Sequence, residues 1–140
     1  MEVQRGIAIR FFAGATITAG YDANGVGKAV CYGTDPETVI EGTIANVNNF
    51  AGVIKSITGG KKDAAVGDAV GVNNDKIIPV KVTGAVSYRD FLTLDDNGAF
   101  KKLTLSATPT TAEILAIVGR VMDAGTTGAG VCKALIWVRK

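Results

Sequence analysis

The sequence contains no histidine. That removes the commonest general base, the commonest zinc ligand and the Ser-His and Cys-His nucleophile pairs. Aromatic residues are 6% of the chain, so a core must be built mainly from Val, Ile, Ala and Leu. An excess of one charge is also lacking: Lys+Arg is 15, Asp+Glu is 13, and the formal net charge is +2. A dedicated nucleic-acid surface is not expected from so even a balance. The apolar runs are short and interrupted, none reaching the ~20 residues of a membrane span. The first residues, Met1-Glu2-Val3-Gln4-Arg5-Gly6, lack the basic and long apolar stretches of a signal peptide. The expectation is a protein made in a cytoplasm, or in a particle assembled there. The two cysteines, Cys31 and Cys132, stand far apart in apolar surroundings and read as buried free thiols acting as small hydrophobes.

What is present points to a folded β protein. The 140 residues fit one domain. A 47% hydrophobic and 20% charged composition excludes disorder for most of the chain. Residues 130–138 alternate, with Cys132, Ala134, Ile136 and Val138 on one face and Val131, Lys133, Leu135, Trp137 and Arg139 on the other. The first set is expected to face the core. In residues 76–86, Ile78, Val80 and Val82 point in and Lys81 and Thr83 out. Pro79 lacks an N–H, which predicts an edge or bulged strand there.

Short segments recur. Residues 27–35, 67–75 and 89–98 each have a small or polar start, a short apolar strand and a turn rich in Asp, Asn or Gly. New strands are expected after the second and third turns, at Lys76-Ile77-Ile78 and Ala99-Phe100-Lys101, which reads as hairpins. A second echo pairs Phe50-Ala51-Gly52-Val53-Ile54 with Ile117-Val118-Gly119-Arg120-Val121. Thr110-Thr111-Ala112-Glu113 matches a capping box, and Ile114, Ile117, Val118, Val121 and Met122 then follow helical spacing. Ile and Val nevertheless favour strands. The reading adopted is a strand over 117–122 after at most one helical turn, with a helix through the stretch as the alternative.

Residues 1–21 have strand character but no evident hairpin partner. They read either as an ordinary first strand or as an extended arm that adds to another chain's sheet; an apolar segment of this kind needs a partner in both cases.

Motifs of site chemistry fail individually. Asp22-Ala23-Asn24-Gly25-Val26-Gly27-Lys28-Ala29 has Asp where a phosphate loop needs its first Gly, Ala where it needs Ser or Thr, and a strand where a helix should follow. Gly59-Gly60-Lys61-Lys62-Asp63 reads as a solvated tight turn. Asp95-Asp96-Asn97-Gly98 lacks the alternate ligand spacing of an EF-hand and reads as a hairpin turn. Ser56, Ser87 and Ser106 have no nucleophile-elbow context. Tyr21, Tyr32 and Tyr88 could stack on bases or sugars, but no basic strip lies between them, which favours core or interface roles. No catalytic residue, metal ligand or cofactor is assigned, and the chain is expected not to be an enzyme.

Phe50-Ala51-Gly52-Val53-Ile54, Val66-Gly67-Asp68-Ala69-Val70, Ile78-Pro79-Val80-Lys81-Val82-Thr83-Gly84 and Ile117-Val118-Gly119-Arg120-Val121-Met122-Asp123-Ala124-Gly125 together resemble small tailed-phage capsid decoration (cement) proteins. The resemblance spans residues 25–138. It implies a β-barrel or β-sandwich, which agrees with the mainly β, compact antiparallel fold of short hairpins, with at most a short helix near 110–118, read from the residues above. It implies an extended N-terminal arm over 1–20 and a single β domain over 21–140. It further implies a homotrimer on the outer surface of the phage head, with the major capsid protein as partner, stapling neighbouring capsomers and stabilising the expanded shell. Nucleic acid, membrane and small-molecule substrate are not expected partners. Ile7, Ile9, Phe11 and Phe12 are the candidate capsid-binding residues of the arm. The alternatives are a tail tube or spike component, or a carbohydrate- or host-binding β domain.

Overall fold

A computed structural model describes residues 9–18, 27–74, 77–123, 125–126 and 130–136 of the chain. The strands are β1 (Ile9–Ala13), β2 (Ala29–Tyr32), β3 (Thr38–Glu41), β4 (Phe50–Ile57), β5 (Ala69–Asn73), β6 (Ile77–Val82), β7 (Val86–Ser87), β8 (Phe91–Leu94), β9 (Phe100–Leu103), β10 (Gly119–Val121), β11 (Gly125–Thr126) and β12 (Gly130–Ile136). One short helix, α1 (Thr111–Leu115), precedes β10. The strands close into two five-stranded barrels, ordered β1-β3-β2-β4-β5 and β10-β12-β6-β9-β8, while β7 and β11 form a separate two-stranded ribbon. The mainly β, barrel-forming expectation holds.

The two barrels share one connectivity. In the first, β1 runs parallel to β3 and the remaining pairs, β3–β2, β2–β4, β4–β5 and β5–β1, are antiparallel. In the second, β6 runs parallel to β9, and β9–β8, β8–β10, β10–β12 and β12–β6 are antiparallel. Counting each barrel's strands from its own first, the two rings are identical. Two sequence echoes fall on equivalent strands: residues 27–35 against 89–98 (β2 and β8), and 50–54 against 117–121 (β4 and β10). A helical turn precedes the fourth strand of each barrel, a 3-10 segment at Ile44–Asn49 and α1 at Thr111–Leu115. Both start at a threonine whose backbone N–H donates to a side chain three residues on. Thr43 N donates to Asn46 Oδ1 at 2.7 Å, and Thr110 N to Glu113 Oε1 at 3.4 Å. This capping ends the preceding strand and starts the turn.

Two strands of the first barrel are buried on both faces. Val30 of β2 and Ala51 and Ile54 of β4 point into the first barrel with Phe11, Val39, Val70 and Val72. Ala29, Cys31, Phe50 and Val53 point the other way and complete the second core with Val80, Val82, Leu92, Leu94, Phe100 and Ile136. Phe50 of β4 meets Phe100 of β9 edge to face, with centroids 5.9 Å apart. The seam continues beyond the apolar wall. Gly27 bridges Val80, and Gly98 N–H donates to Gly42 O at 2.8 Å. Gly98 has φ +74, and a Cβ there would lie 2.8 Å from the Lys28 Cβ, so glycine alone satisfies both conformation and space. Lys28, 7% exposed, pairs with Glu41 at 3.1 Å beside this contact.

Several expectations are corrected. The segment 67–76 does not form a hairpin: β5 closes the first barrel and β6 opens the second. Local turn chemistry marks where a strand ends, and packing decides which sheet the next one joins. The hairpin expected at 94–100 does form, pairing Leu94 with Phe100, and a further one at 32–38 pairs Tyr32 with Val39. The 110–122 stretch is one helical turn followed by a strand, as adopted. At Pro79, β6 pairs through Lys133 of β12, whereas its partner β9 is met only at Val82. The β region is two fused barrels, and the arm expected over 1–20 is, at Ile9–Ala13, an internal strand of the first.

Phe50→Ala should lower unfolding stability by about 3–5 kcal/mol, the cost of a large cavity in a shared core. Urea unfolding followed by circular dichroism and by thiol exposure at Cys132 should give one common midpoint in both proteins. Separate midpoints would show that the wall does not couple the barrels.

Candidate functional site

The four arm candidates separate on the structure. Ile7 lies outside the described residues, and Ile9 opens β1. Pairing of β1 with β3 and β5 imposes a period of two, so Phe11 and Ala13 turn inward and Arg10 and Phe12 outward. Phe11 is 7% exposed and meets Tyr32 edge to face at 5.8 Å. It is a core residue and not a docking side chain. Phe12 is 42% exposed, with the Arg10 guanidinium 5.9 Å from its ring centre.

The rejected motifs are structural where they are described. Lys28 belongs to the seam ion pair and leads into β2. Lys61 pairs with Asp68 at 3.1 Å. Asp95 accepts from Thr83 Oγ1 at 2.7 Å and from Asp96 N–H at 2.9 Å, and these bonds hold its carboxyl below the usual range. Glu113 accepts from both the N–H and the hydroxyl of Ser106 as well as from Thr110; its carboxyl is likewise lowered, chiefly by the Ser106 backbone bond. Among the described residues no group of three or more acidic or Cys side chains is placed to hold a metal ion.

Three surface features remain. The first is a row across the outside of the second barrel: the register aligns Ile77, Leu135, Arg120 and Phe91 on consecutive strands. Ile77 and, towards the other end of β12, Val131 are about half exposed, and the Arg120 guanidinium covers the Phe91 ring at 4.9 Å. The second is a cleft of about 320 Å³ on the first barrel, with Tyr32, Thr34, Asn46 and Asn49 in its lining and no charged side chain there. The third is the turn at residues 87–90, which carries the exposed Tyr88 and Arg89. The tyrosines were legible as candidates; the turn geometry around Arg89 was not, because no local motif encodes it.

No protein-family model matches the chain, and no curated protein matches it. Among solved structures, the chain is similar to the crystal structure of the head fiber gp8.5 N base in bacteriophage phi29, at 14% identity and a TM-score of 0.48 over 92% of each chain.

The thiols are buried and free. Burial pushes Cys31 from 9.0 up to about 12, and burial together with the Asp123 charge pushes Cys132 from 9.0 up to about 11. A thiol whose value is raised on folding stabilises the native state below pH 9, where both states are protonated alike. That contribution is lost as pH rises from 9 towards 11–12, because the unfolded chain releases its protons first. Urea stability should therefore fall between pH 8 and pH 10.5, and the Cys31→Ala/Cys132→Ala protein should show a shallower slope. Equal slopes would remove the thiols as the cause.

Proposed function

We propose that the chain is a non-catalytic structural protein of a phage head, which binds the outer surface of the expanded shell as a homotrimer and staples neighbouring capsomers. The observation that carries this reading is the β2–β4 wall, buried on both faces, which fuses two barrels into one stiff body. A protein that resists internal pressure must transmit load without internal hinging, and close-packed interiors transmit strain. The sequence resemblance to decoration proteins supports the same role. The likeness to the phi29 head fiber base carries no weight at its TM-score of 0.48.

Three linked contacts raise avidity by ~10²–10⁴ over one when geometry allows all to engage. Selective binding to the expanded shell stabilises that state by mass action. Phe12, Ile77 and Val131 are exposed apolar side chains available for such contacts. The arm part of the proposal now concerns residues 1–8 alone, since removing 1–12 would delete most of β1 and open the first barrel.

Light scattering should give a mass near three times 14.4 kDa, and the protein should co-sediment with expanded heads and not with unexpanded ones. Deleting residues 1–8 should abolish that binding while circular dichroism is unchanged. A monomer that fails to bind expanded heads would overturn the reading.

The cleft at Tyr32 favours a second reading, a carbohydrate-binding domain. An aromatic ring beside neutral amides and a hydroxyl suits uncharged sugars, and about 320 Å³ is at the lower end of ligand-site volumes. On this reading, titration with neutral oligosaccharides should change tyrosine fluorescence, and Tyr32→Ala should eliminate the response. Absence of any response in the wild type would dispose of it.

A further inference from the structure

We propose that the turn at residues 87–90 is a preformed recognition tip whose Tyr88 and Arg89 side chains engage a carboxylate-bearing patch on the shell protein. This rests on the head-binding reading above and names the contact that would make it.

The backbone of the turn is fastened at every residue except Tyr88. Asp90 N–H donates to Ser87 O at 3.0 Å, Arg89 N–H to Val121 O at 2.9 Å, and Val121 N–H to Asp90 O at 2.9 Å. The Asp90 carboxylate accepts from Ser87 N–H at 2.8 Å, and Arg120 Nε donates to Arg89 O at 3.0 Å. Lys102 lies 3.7 Å from the same carboxylate, so the acid at the tip is already committed within the chain. These bonds hold Arg89 at φ +74. That is the left-handed region, which the third residue of a tight turn enters readily only as Gly or Asn. Elsewhere among the described residues the chain obeys that rule, with glycines or Asn97 at every other positive φ. A bulky residue at such a position is the pattern of a site whose side chain is needed for something other than the fold.

The side chains match that pattern. Tyr88 is 55% exposed and Arg89 is exposed, and among the described residues neither side chain takes part in a hydrogen bond, ion pair or ring contact. Tyrosine and arginine are the residue types enriched among the energetically dominant positions of protein interfaces. Presenting them on a stiff turn lowers the ordering cost of binding. The guanidinium fork matches a carboxylate through two parallel hydrogen bonds, and the phenol ring covers apolar surface beside it. Charge favours the same partner: Lys102 pairs with the Asp90 carboxylate and Arg120 bonds the Arg89 carbonyl, so these contacts bring two cations and one acid beside Arg89.

Arg89→Gly separates recognition from folding, because glycine relieves the backbone while removing the guanidinium. Its thermal midpoint should equal or exceed that of the wild type. Its affinity for DNA-free expanded heads, measured by co-sedimentation, should fall at least about tenfold, with a flatter salt dependence. Tyr88→Ala, at an exposed position, should lose a comparable factor with an unchanged midpoint, and Arg89→Lys should recover only part of the affinity. Wild-type affinity in either Arg89→Gly or Tyr88→Ala overturns the tip while leaving the head-binding reading intact. Failure of the wild-type protein to bind heads at all overturns that reading, and the tip with it.

Discussion

The β2–β4 pair carries two cores at once. Alternation along a strand ordinarily gives one apolar face and one wet one. Here Ala29 and Cys31 serve the second core while Val30 between them serves the first, and Phe50 and Val53 are divided from Ala51 and Ile54 in the same way. Neither barrel is closed off from water without the other. The edge-to-face contact of Phe50 with Phe100 and the Lys28–Glu41 pair lie on this seam. A buried ion pair is weak evidence of stability, but leaving one partner alone there would be costly, so it helps fix how the barrels meet.

Around that wall the architecture repeats. Both barrels use the same ring of one parallel and four antiparallel pairs, and both enter their fourth strand from a threonine-capped turn. Repetition of connectivity leaves the surfaces free to diverge. The first barrel carries a neutral cleft at Tyr32, whereas the second carries an apolar outward row and a basic tip at Tyr88 and Arg89.

Local signals in the sequence were reliable for strands. Alternation located the inward faces of β6 and β12 residue by residue, and the capping residues Thr110 and Glu113 located the helical turn before β10. The echoes between 27–35 and 89–98 and between 50–54 and 117–121 were the trace of equivalent strands in two barrels. Their meaning was hidden because a third echo, at 67–75, falls on β5, which occupies a different place in the ring. The candidate site was less legible. Phe11 and Phe12 are adjacent and chemically alike in sequence, yet pairing with β3 and β5 buries one and exposes the other.

The sequence by itself therefore determined the class of the protein: a β fold with an aliphatic core and no histidine chemistry, with turns at the Asp-, Asn- and Gly-rich segments. These depend on composition and on neighbours within a few residues. Tertiary structure alone decided that β5 and β6 part into different barrels and that β2 and β4 are buried on both faces. It also decided that Arg89 is held in a glycine-like conformation. Each of these depends on contacts between residues distant in the chain, such as Arg89 with Val121 or Phe50 with Phe100, which no short window of sequence contains.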